Sequence, residues 1–268
     1  MRKELICVKK IKYLSLILSI AFILIFTINT NASDKGGYSW YCVHRNDHLQ
    51  PAADSQFEFI ERCGGYYIDK AHGDDNEDKV IYLTFDAGYE NGNIEKILDV
   101  LKRQNVPGAF FILGNLIRSN PDLVCRMFEE GHLVCNHTYS HKAMVGKSRD
   151  VLADELNALK NACRETVGRE ISDYYRPPEG RFDEASLIYA NELGYKTIFW
   201  SFAYADWDNN KQMSPEKAKK KILDNVHNGE IMLLHPTSAT NAMIIEEVIE
   251  TLKNQGYRFG TLDELCGR

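Results

Sequence analysis

Six short polar clusters follow apolar, strand-like runs, and they are where this chain has the residue types for chemistry. They are Thr84-Phe85-Asp86-Ala87-Gly88, His137-Thr138-Tyr139-Ser140-His141, Arg176-Pro177-Pro178-Glu179-Gly180, Asp206-Trp207, Leu233-Leu234-His235 and, more weakly, Thr261-Leu262-Asp263. An acid at the exit of a buried strand costs free energy unless it is paired or used. Asp86, which ends the run Val80–Phe85, is therefore a candidate base, with a helix cap or structural ion pair as the plainer alternative. Glu90 in the same loop is a second candidate acid, although its place ahead of a helical pattern also suits a dipole role.

His137 and His141 stand four apart, which places both imidazoles on one face of a helical turn and offers a metal two nitrogens. An HxxxH pair is weak evidence by itself; its position straight after Leu133–Cys135 strengthens it. Arg176 precedes two prolines that hold the chain extended. A guanidinium buried there needs a carboxylate, for which Asp86 is the candidate; a surface arginine before a turn is the alternative. Asp206 follows the apolar run Thr197–Phe202, and neighbouring Asp208 is an equal candidate for the structural acid. Trp207 is either core or a platform for a sugar. His235 ends Glu230–Leu234, and an acid such as Asp206 beside it would suit it to proton transfer near neutral pH.

These residues meet only if the strand exits converge, as they do at one end of a parallel barrel. From Val80 onward strand and helix signals alternate. The strand-like runs are Val80–Phe85, Gly108–Leu113, His132–Asn136, Asp173–Tyr175, Lys196–Phe202, Glu230–Leu234 and Tyr257–Leu262. Helical patterns lie between them at Ile94–Gln104, Pro121–Glu130, Arg149–Val167, Asp183–Leu193, Pro215–His227 and Ala242–Gln255. Parallel strands joined by right-handed crossovers follow. The expected fold class is α/β: a distorted (β/α) barrel of about seven parallel strands, one short of the usual eight.

Residues 1–32 read as a leader: Arg2, Lys3, Lys9, Lys10 and Lys12 precede the apolar run Tyr13–Ile28, and Thr30-Asn31-Ala32 supplies small residues. The run is shorter than the roughly 20 residues of a spanning helix, so a signal peptide is expected, with a retained N-terminal membrane anchor as the alternative. Residues 33–79 form a polar, aromatic extension packed on the main domain, which occupies residues 80–268. Without the leader the charge balance falls from −6 to about −10, because five basic residues and one acid go with it. No basic patch is present, which argues against nucleic acid as a partner. Six cysteines remain; Cys125 and Cys163 read as buried thiols, and Cys42 with Cys63 is the first pair to consider for a disulfide.

In order and spacing the clusters resemble the polysaccharide deacetylases, the NodB-homology carbohydrate esterases of family four. That family's pattern runs TFDDG, H-S/T-x-x-H, R-x-P-x-G, D-W and L-x-H, and here reads Thr84–Gly88, His137–His141, Arg176–Gly180, Asp206-Trp207 and Leu233–His235. The match covers Val80 to about Leu265. Tyr89–Gly92, the run Ile198–Asp208, His227–Gly229, Thr237–Asn241 and Tyr38-Ser39-Trp40 are similar to the muramic-acid deacetylase branch. The resemblance implies removal of the acetyl group from N-acetylmuramic acid in peptidoglycan, with release of acetate, as a step toward muramic δ-lactam in the spore cortex. It implies a glycan-strand partner and an exported protein at the cell wall or in the forespore intermembrane space. By this resemblance Asp86 is the general base, Arg176 its orienting partner, His137 and His141 the metal ligands, and His235 the general acid tuned by Asp206. Trp207, Glu179 and Tyr89 are expected at the substrate, with the Glu179 amide as an oxyanion donor.

One position departs from the pattern. The family's second Asp, a metal ligand, is Ala87 here. The expected divalent ion, zinc first and magnesium, manganese or calcium as alternatives, then has two protein ligands where catalytic zinc usually has three. Water, or one of Glu90, Asn91 and Glu179, completes the set, or catalysis is lost and binding kept. Three rival functions stay open at this point: a deacetylase of N-acetylglucosamine or chitin-type glycans, a non-catalytic glycan-binding module, and a two-carboxylate glycosidase using Asp86 with Glu90 or Glu179.

Overall fold

The longest run of strand-favouring residues, Lys79–Ala87, lies in the middle of a curled sheet, and the other elements are arranged about it. The computed structural model describes residues 36–268, so the expected leader lies outside the described residues. In chain order the strands are β1 (Tyr38–Ser39), β2 (Gly65–Tyr66), β3 (Lys79–Ala87), β4 (Ala109–Ile112), β5 (Leu133–Asn136), β6 (Tyr174–Tyr175), β7 (Arg181–Phe182), β8 (Lys196–Ile198), β9 (Glu230–Leu234) and β10 (Tyr257–Phe259). The helices are α1 (Phe59–Arg62), α2 (Ile94–Gln104), α3 (Gly114–Ser119), α4 (Pro121–Glu129), α5 (Arg149–Val167), α6 (Glu184–Glu192), α7 (Pro215–Asn225), α8 (Ala239–Asn254) and α9 (Leu262–Leu265).

Strands β3, β4, β5, β6, β8, β9 and β10 are the seven parallel strands of a curled half-barrel with flanking helices. The distortion has a clear source. One edge of β3 pairs with β9 over Ile81–Phe85, while the other is shared by β10 along Lys79–Ile81 and β4 along Thr84–Ala87. Strand β10 therefore ends well below Thr84. The expected strand Tyr257–Leu262 stops at Phe259, and Thr261 caps α9 by accepting from the Glu264 N–H. The Thr261-Leu262-Asp263 cluster thus does not join the others, since Leu262 packs with Val80 and Tyr82 at the opposite end of the barrel.

The expected strand Lys196–Phe202 ends at Ile198 and resumes only as a bridge between Phe202 and Met232, which links β8's continuation to β9. The carbonyls of Ile198 and Phe199 are taken by the Arg176 side chain instead. Helix α3 is absent from the sequence reading because its six residues are too few to show a period. Longer helices follow their signals closely. Helix α5 buries Leu152, Leu156, Leu159 and Cys163 at intervals of three and four, with Ser148 capping its start and Gly168 ending it in the left-handed region.

Residues Gly37–Arg268 form one compact unit. Strand β1 pairs antiparallel with β7, and β2 adds a short parallel strand to β8. Tyr38, Trp40, Phe57, Phe59 and Tyr67 pack with Phe182 and Phe199 in an aromatic layer. The six cysteines of the described residues are free thiols, and Cys42 and Cys63, the first pair to consider, are not joined. Both sit in that aromatic layer as small apolar groups, where burial pushes the Cys42 thiol up to about 12. Among the described residues no helix is long and apolar enough to cross a membrane.

Burial also holds His132 and His227 neutral, each lowered to about 4. The unfolded chain binds these protons near pH 6.5, so the two groups make the fold lose stability as pH falls from 6.5 toward 4. Urea denaturation midpoints should drop across that window, and His132→Gln should flatten part of the slope.

Candidate active site

The period-two alternation of the parallel strands selects which residues reach the cleft. Val80 and Tyr82 of β3, Ala109 and Phe111 of β4, Cys135 of β5, Tyr174 of β6, Ile198 of β8 and Ile231 of β9 face the barrel interior. Two residues beyond an inward member of each set come the polar groups. Asp86 continues the Val80, Tyr82, Thr84 series; His137 follows Cys135; Arg176 follows Tyr174; and His235 follows Ile231 and Leu233. The intervening residues Leu83, Phe85, Val134, Met232 and Leu234 pack toward the helices. Ala87 belongs to that outer set: it is fully buried in the apolar layer and does not line the cleft.

The cleft has a volume of about 750 Å³, and its walls include Asp86, His137, His141, Glu179, Trp207 and His235. Arg176 lies behind that lining and holds Asp86. Its side chain is fully buried and donates from Nε to the Ile198 carbonyl at 2.9 Å, from Nη1 to Asp86 Oδ1 at 2.9 Å, and from Nη2 to Thr84 Oγ1 at 3.0 Å and the Phe199 carbonyl at 3.1 Å. The guanidinium also lies 4.1 Å from the Phe111 ring centroid. Burial pushes the Asp86 carboxyl up, but the Arg176 charge and hydrogen bond, with the His137 and His235 rings alongside, outweigh it and hold the group below the usual carboxylate range.

Asp206 is almost fully buried and holds His235 twice: Oδ1 accepts from the ring Nδ1 at 2.7 Å and Oδ2 from the backbone N–H at 2.8 Å. That leaves Nε2 as the uncommitted ring nitrogen of a residue lining the cleft. Burial pulls the His235 pKa down, yet the Asp206 hydrogen bond and charge, with Asp86 beyond, raise it above its ordinary value. Asp206, not Asp208, is the orienting acid.

His137 and His141 do come together, with ring centroids 5.0 Å apart, but not on a helical turn. Thr138 and His141 have left-handed φ values of 66° and 60°. The Asn136 side chain accepts from the Thr138 N–H and Glu155 of α5 accepts from Ser140, and these contacts hold the loop in its non-helical path. His137 Nδ1 donates to the Arg176 carbonyl at 2.8 Å, which turns Nε2 toward Asp86 Oδ2, 3.5 Å away. Burial holds the imidazole neutral, lowered to about 4.

A divalent ion fits this arrangement in part. A neutral His137 aims the Nε2 lone pair near an ionised carboxylate oxygen, so two acceptors face one site that a cation would satisfy, and the His141 ring stands alongside. Neutral imidazole with its second nitrogen bonded to a carbonyl is the form that ligates metals. Among the described residues no group of three or more His, Cys, Asp or Glu is placed to hold a metal. Glu90 turns away, with Oε2 accepting from the Ile94 N–H at the start of α2, and Asn91 donates to the Thr237 carbonyl.

The model of the family described as polysaccharide deacetylase matches residues 73–198. The chain is 38% identical to the peptidoglycan-N-acetylmuramic acid deacetylase PdaA of Bacillus subtilis, over 85% of each chain. The chain belongs to the polysaccharide deacetylase family. It is also 41% identical to an uncharacterized 30.6 kDa protein of Geobacillus stearothermophilus, over 96% of this chain and 94% of that one. The solved structure of B. subtilis PdaA, a family 4 carbohydrate esterase, superposes with a TM-score of 0.80 at 37% identity, covering 86% of this chain and 97% of that one.

Several cleft residues of this deacetylase-family chain fall in the quoted runs without having been singled out as site residues. Trp40 and Trp200 line the cleft beside Gly180, and Tyr204, Leu113 and Thr237 complete its walls. Trp40 donates from Nε1 to the Trp200 carbonyl at 2.8 Å, and its backbone N–H donates to the Gly180 carbonyl at 2.8 Å. Gly180 has φ +64°, and a Cβ there would stand 2.8 Å from the Trp200 ring, so only glycine fits. Trp207 is 61% exposed, which removes the core reading and leaves its ring at the rim beside His235. Tyr89 is its exposed companion, with a hydroxyl that accepts from Asn209 at 2.7 Å.

Removing the Arg176 fork should be costly, because Asp86 would keep a buried, unpaired charge. Arg176→Met should lower stability by about 3–5 kcal/mol in chemical denaturation, as for other broken buried pairs.

Proposed function

We propose that this protein removes the N-acetyl group from N-acetylmuramic acid in peptidoglycan glycan strands, releasing acetate, as a step toward muramic δ-lactam in spore cortex. The observation that carries the reading is the pairing of a base and an acid across one cleft. Asp86 is held ionised by Arg176, and His235 is held proton-rich by Asp206. Likeness to PdaA along most of both chains supports muramic acid as the sugar. The expected leader supports action outside the cytoplasm, at the cell wall, with any membrane contact made through the N-terminal segment.

The reaction is amide hydrolysis. Asp86 takes a proton from the attacking water as its oxygen adds to the acetyl carbonyl. The Glu179 backbone N–H, in a segment turned by the φ of 58° at that residue, is the proposed donor to the developing oxyanion. His235 gives its Nε2 proton to the sugar nitrogen, the C–N bond breaks, and acetate and a free amine result. His137 and His141 are the proposed holders of a divalent ion, zinc first, which when bound would polarise the carbonyl and acidify water. Trp207 and Tyr89 offer exposed rings along which a sugar can lie.

One observation favours a second reading. Two histidines without a third protein ligand, beside exposed aromatics, also suit a glycan-binding protein that does not turn over. Mass spectrometry of defined glycan strands, with and without their peptides, separates the possibilities. Loss of acetyl from muramic acid in peptide-free strands supports the proposal, loss from glucosamine redirects it, and unchanged strands with retained binding favour the second reading.

Asp86→Asn should abolish acetate release while melting stays cooperative; full turnover in that variant would remove Asp86 as the base. The rate should fall at alkaline pH with a midpoint above 6.5, as His235 loses the proton it must donate. His235→Ala should lower the rate and erase that limb. Calorimetry should detect zinc binding that His137→Ala and His141→Ala each eliminate, and chelator should depress activity until divalent ion is returned.

A further inference from the structure

The Asn241 side chain has no assigned part in the reaction, yet it is fully buried against the acid half of the site. It lies in the first turn of α8, where the backbone needs are already met: Ser238 caps the helix by accepting from the Asn241 N–H at 3.1 Å. The side-chain amide is spent elsewhere. Nδ2 donates to Asp206 Oδ2 at 2.7 Å and to the His235 carbonyl at 3.1 Å, and Oδ1 accepts from the Tyr204 hydroxyl. Asp206 therefore receives three donors: the His235 ring, the His235 backbone and Asn241.

We propose that Asn241 is a positioning residue for proton donation: its amide fixes the Asp206 carboxylate so that His235 keeps Nε2 toward the cleft, and the Tyr204 hydroxyl fixes which way the amide faces. A flipped amide would set its carbonyl against the carboxylate and leave the Tyr204 hydroxyl facing an N–H, so the network has one consistent orientation. Burial raises the Tyr204 phenol above its ordinary value, which keeps it a donor. The same link ties two chain segments together, since Asp206 follows β8 and His235 follows β9. Ser238 Oγ donates to Gln212 Oε1, and Gln212 Nε2 donates to the Asp206 carbonyl at 2.9 Å, closing the tie from a second side.

The assignment of His235 as acid rests on the deacetylase reading; the geometry of Asn241 does not. The charged groups that face His235 are Asp206 from the segment after β8, Asp86 from β3 and Arg176 from beyond β6. Replacing Asn241 removes a donor that disperses the Asp206 charge, so the imidazolium is held more tightly. In Asn241→Leu, NMR titration of ¹⁵N-labelled histidine should move the His235 midpoint up by about one pH unit. Acetate release should lose about tenfold in kcat with KM held within about twofold, the signature of a transition-state effect. Asn241→Asp sets a second carboxylate against Asp206, so its activity should recover as pH falls and the pair shares a proton. Tyr204→Phe, which leaves the amide unanchored, should shift His235 in the same direction by less.

Thermal melts establish which variants are folded. An unchanged His235 titration in folded Asn241→Leu and Tyr204→Phe overturns the proposal; if Asn241→Leu does not fold, Asn241→Asp and Tyr204→Phe carry the test. Should the wild-type protein release no acetate, the deacetylase reading fails, while the His235 titration still decides the role of Asn241.

Discussion

The buried guanidinium of Arg176 is the contact on which the top of the barrel depends. It joins β3 through Thr84 and Asp86 to the end of β8 through the carbonyls of Ile198 and Phe199. Its own carbonyl accepts from His137 and so sets the tautomer of that ring. A flat fork with fixed donors can meet all these acceptors at once, whereas a lysine ammonium could satisfy only some of them. The cost of burying the charge is offset by hydrogen bonds from all three nitrogens and by the Phe111 face beneath it. Because those partners come from separate strands, the ends of β3, β6 and β8 cannot shift independently.

Two aspartates at the same end of the barrel are given opposite tasks by their neighbours. Asp86 faces a permanent cation and stays ionised toward the cleft. Asp206 is turned inward, and its charge is spent on keeping His235 protonated. The residue type is the same; the partner decides whether the site takes a proton or gives one.

Much of this was legible because strand periodicity is strict. Once Val80–Phe85 and its counterparts are read as strands buried on both faces, the polar residue at each exit falls on the inner side by counting in twos. Helix limits such as Ile94–Gln104 and Arg149–Val167 followed from spacing and caps. What escaped the reading depended on contacts distant in sequence. The left-handed turns at Thr138 and His141 are imposed by Asn136 and Glu155, not by local propensity. Thr261 belongs to a cap at the barrel's far end because β10 pairs so low on β3. Ala87 brings no ligand atom, and the pleat sets it in the apolar layer, a placement that the linear text does not show. Trp40 and Asn241 act through partners 160 and 35 residues away, and no local pattern records such separations.

The bond between Trp40 and Trp200 also bears on how the molecule is assembled. It closes a loop of 160 residues, and the wall it completes belongs to a segment that precedes the barrel in the chain. Closing so long a loop carries an entropy cost that is recovered only after both ends are ordered. The wall at Trp40 is therefore complete only where that preceding segment meets the chain just past β8 that carries Trp200. Opening of that segment would have to break the packing of Trp40 on Phe57, Tyr67 and Phe199. An intact barrel and a complete cleft are therefore separate requirements, and the aromatic layer around Trp40 is what joins them.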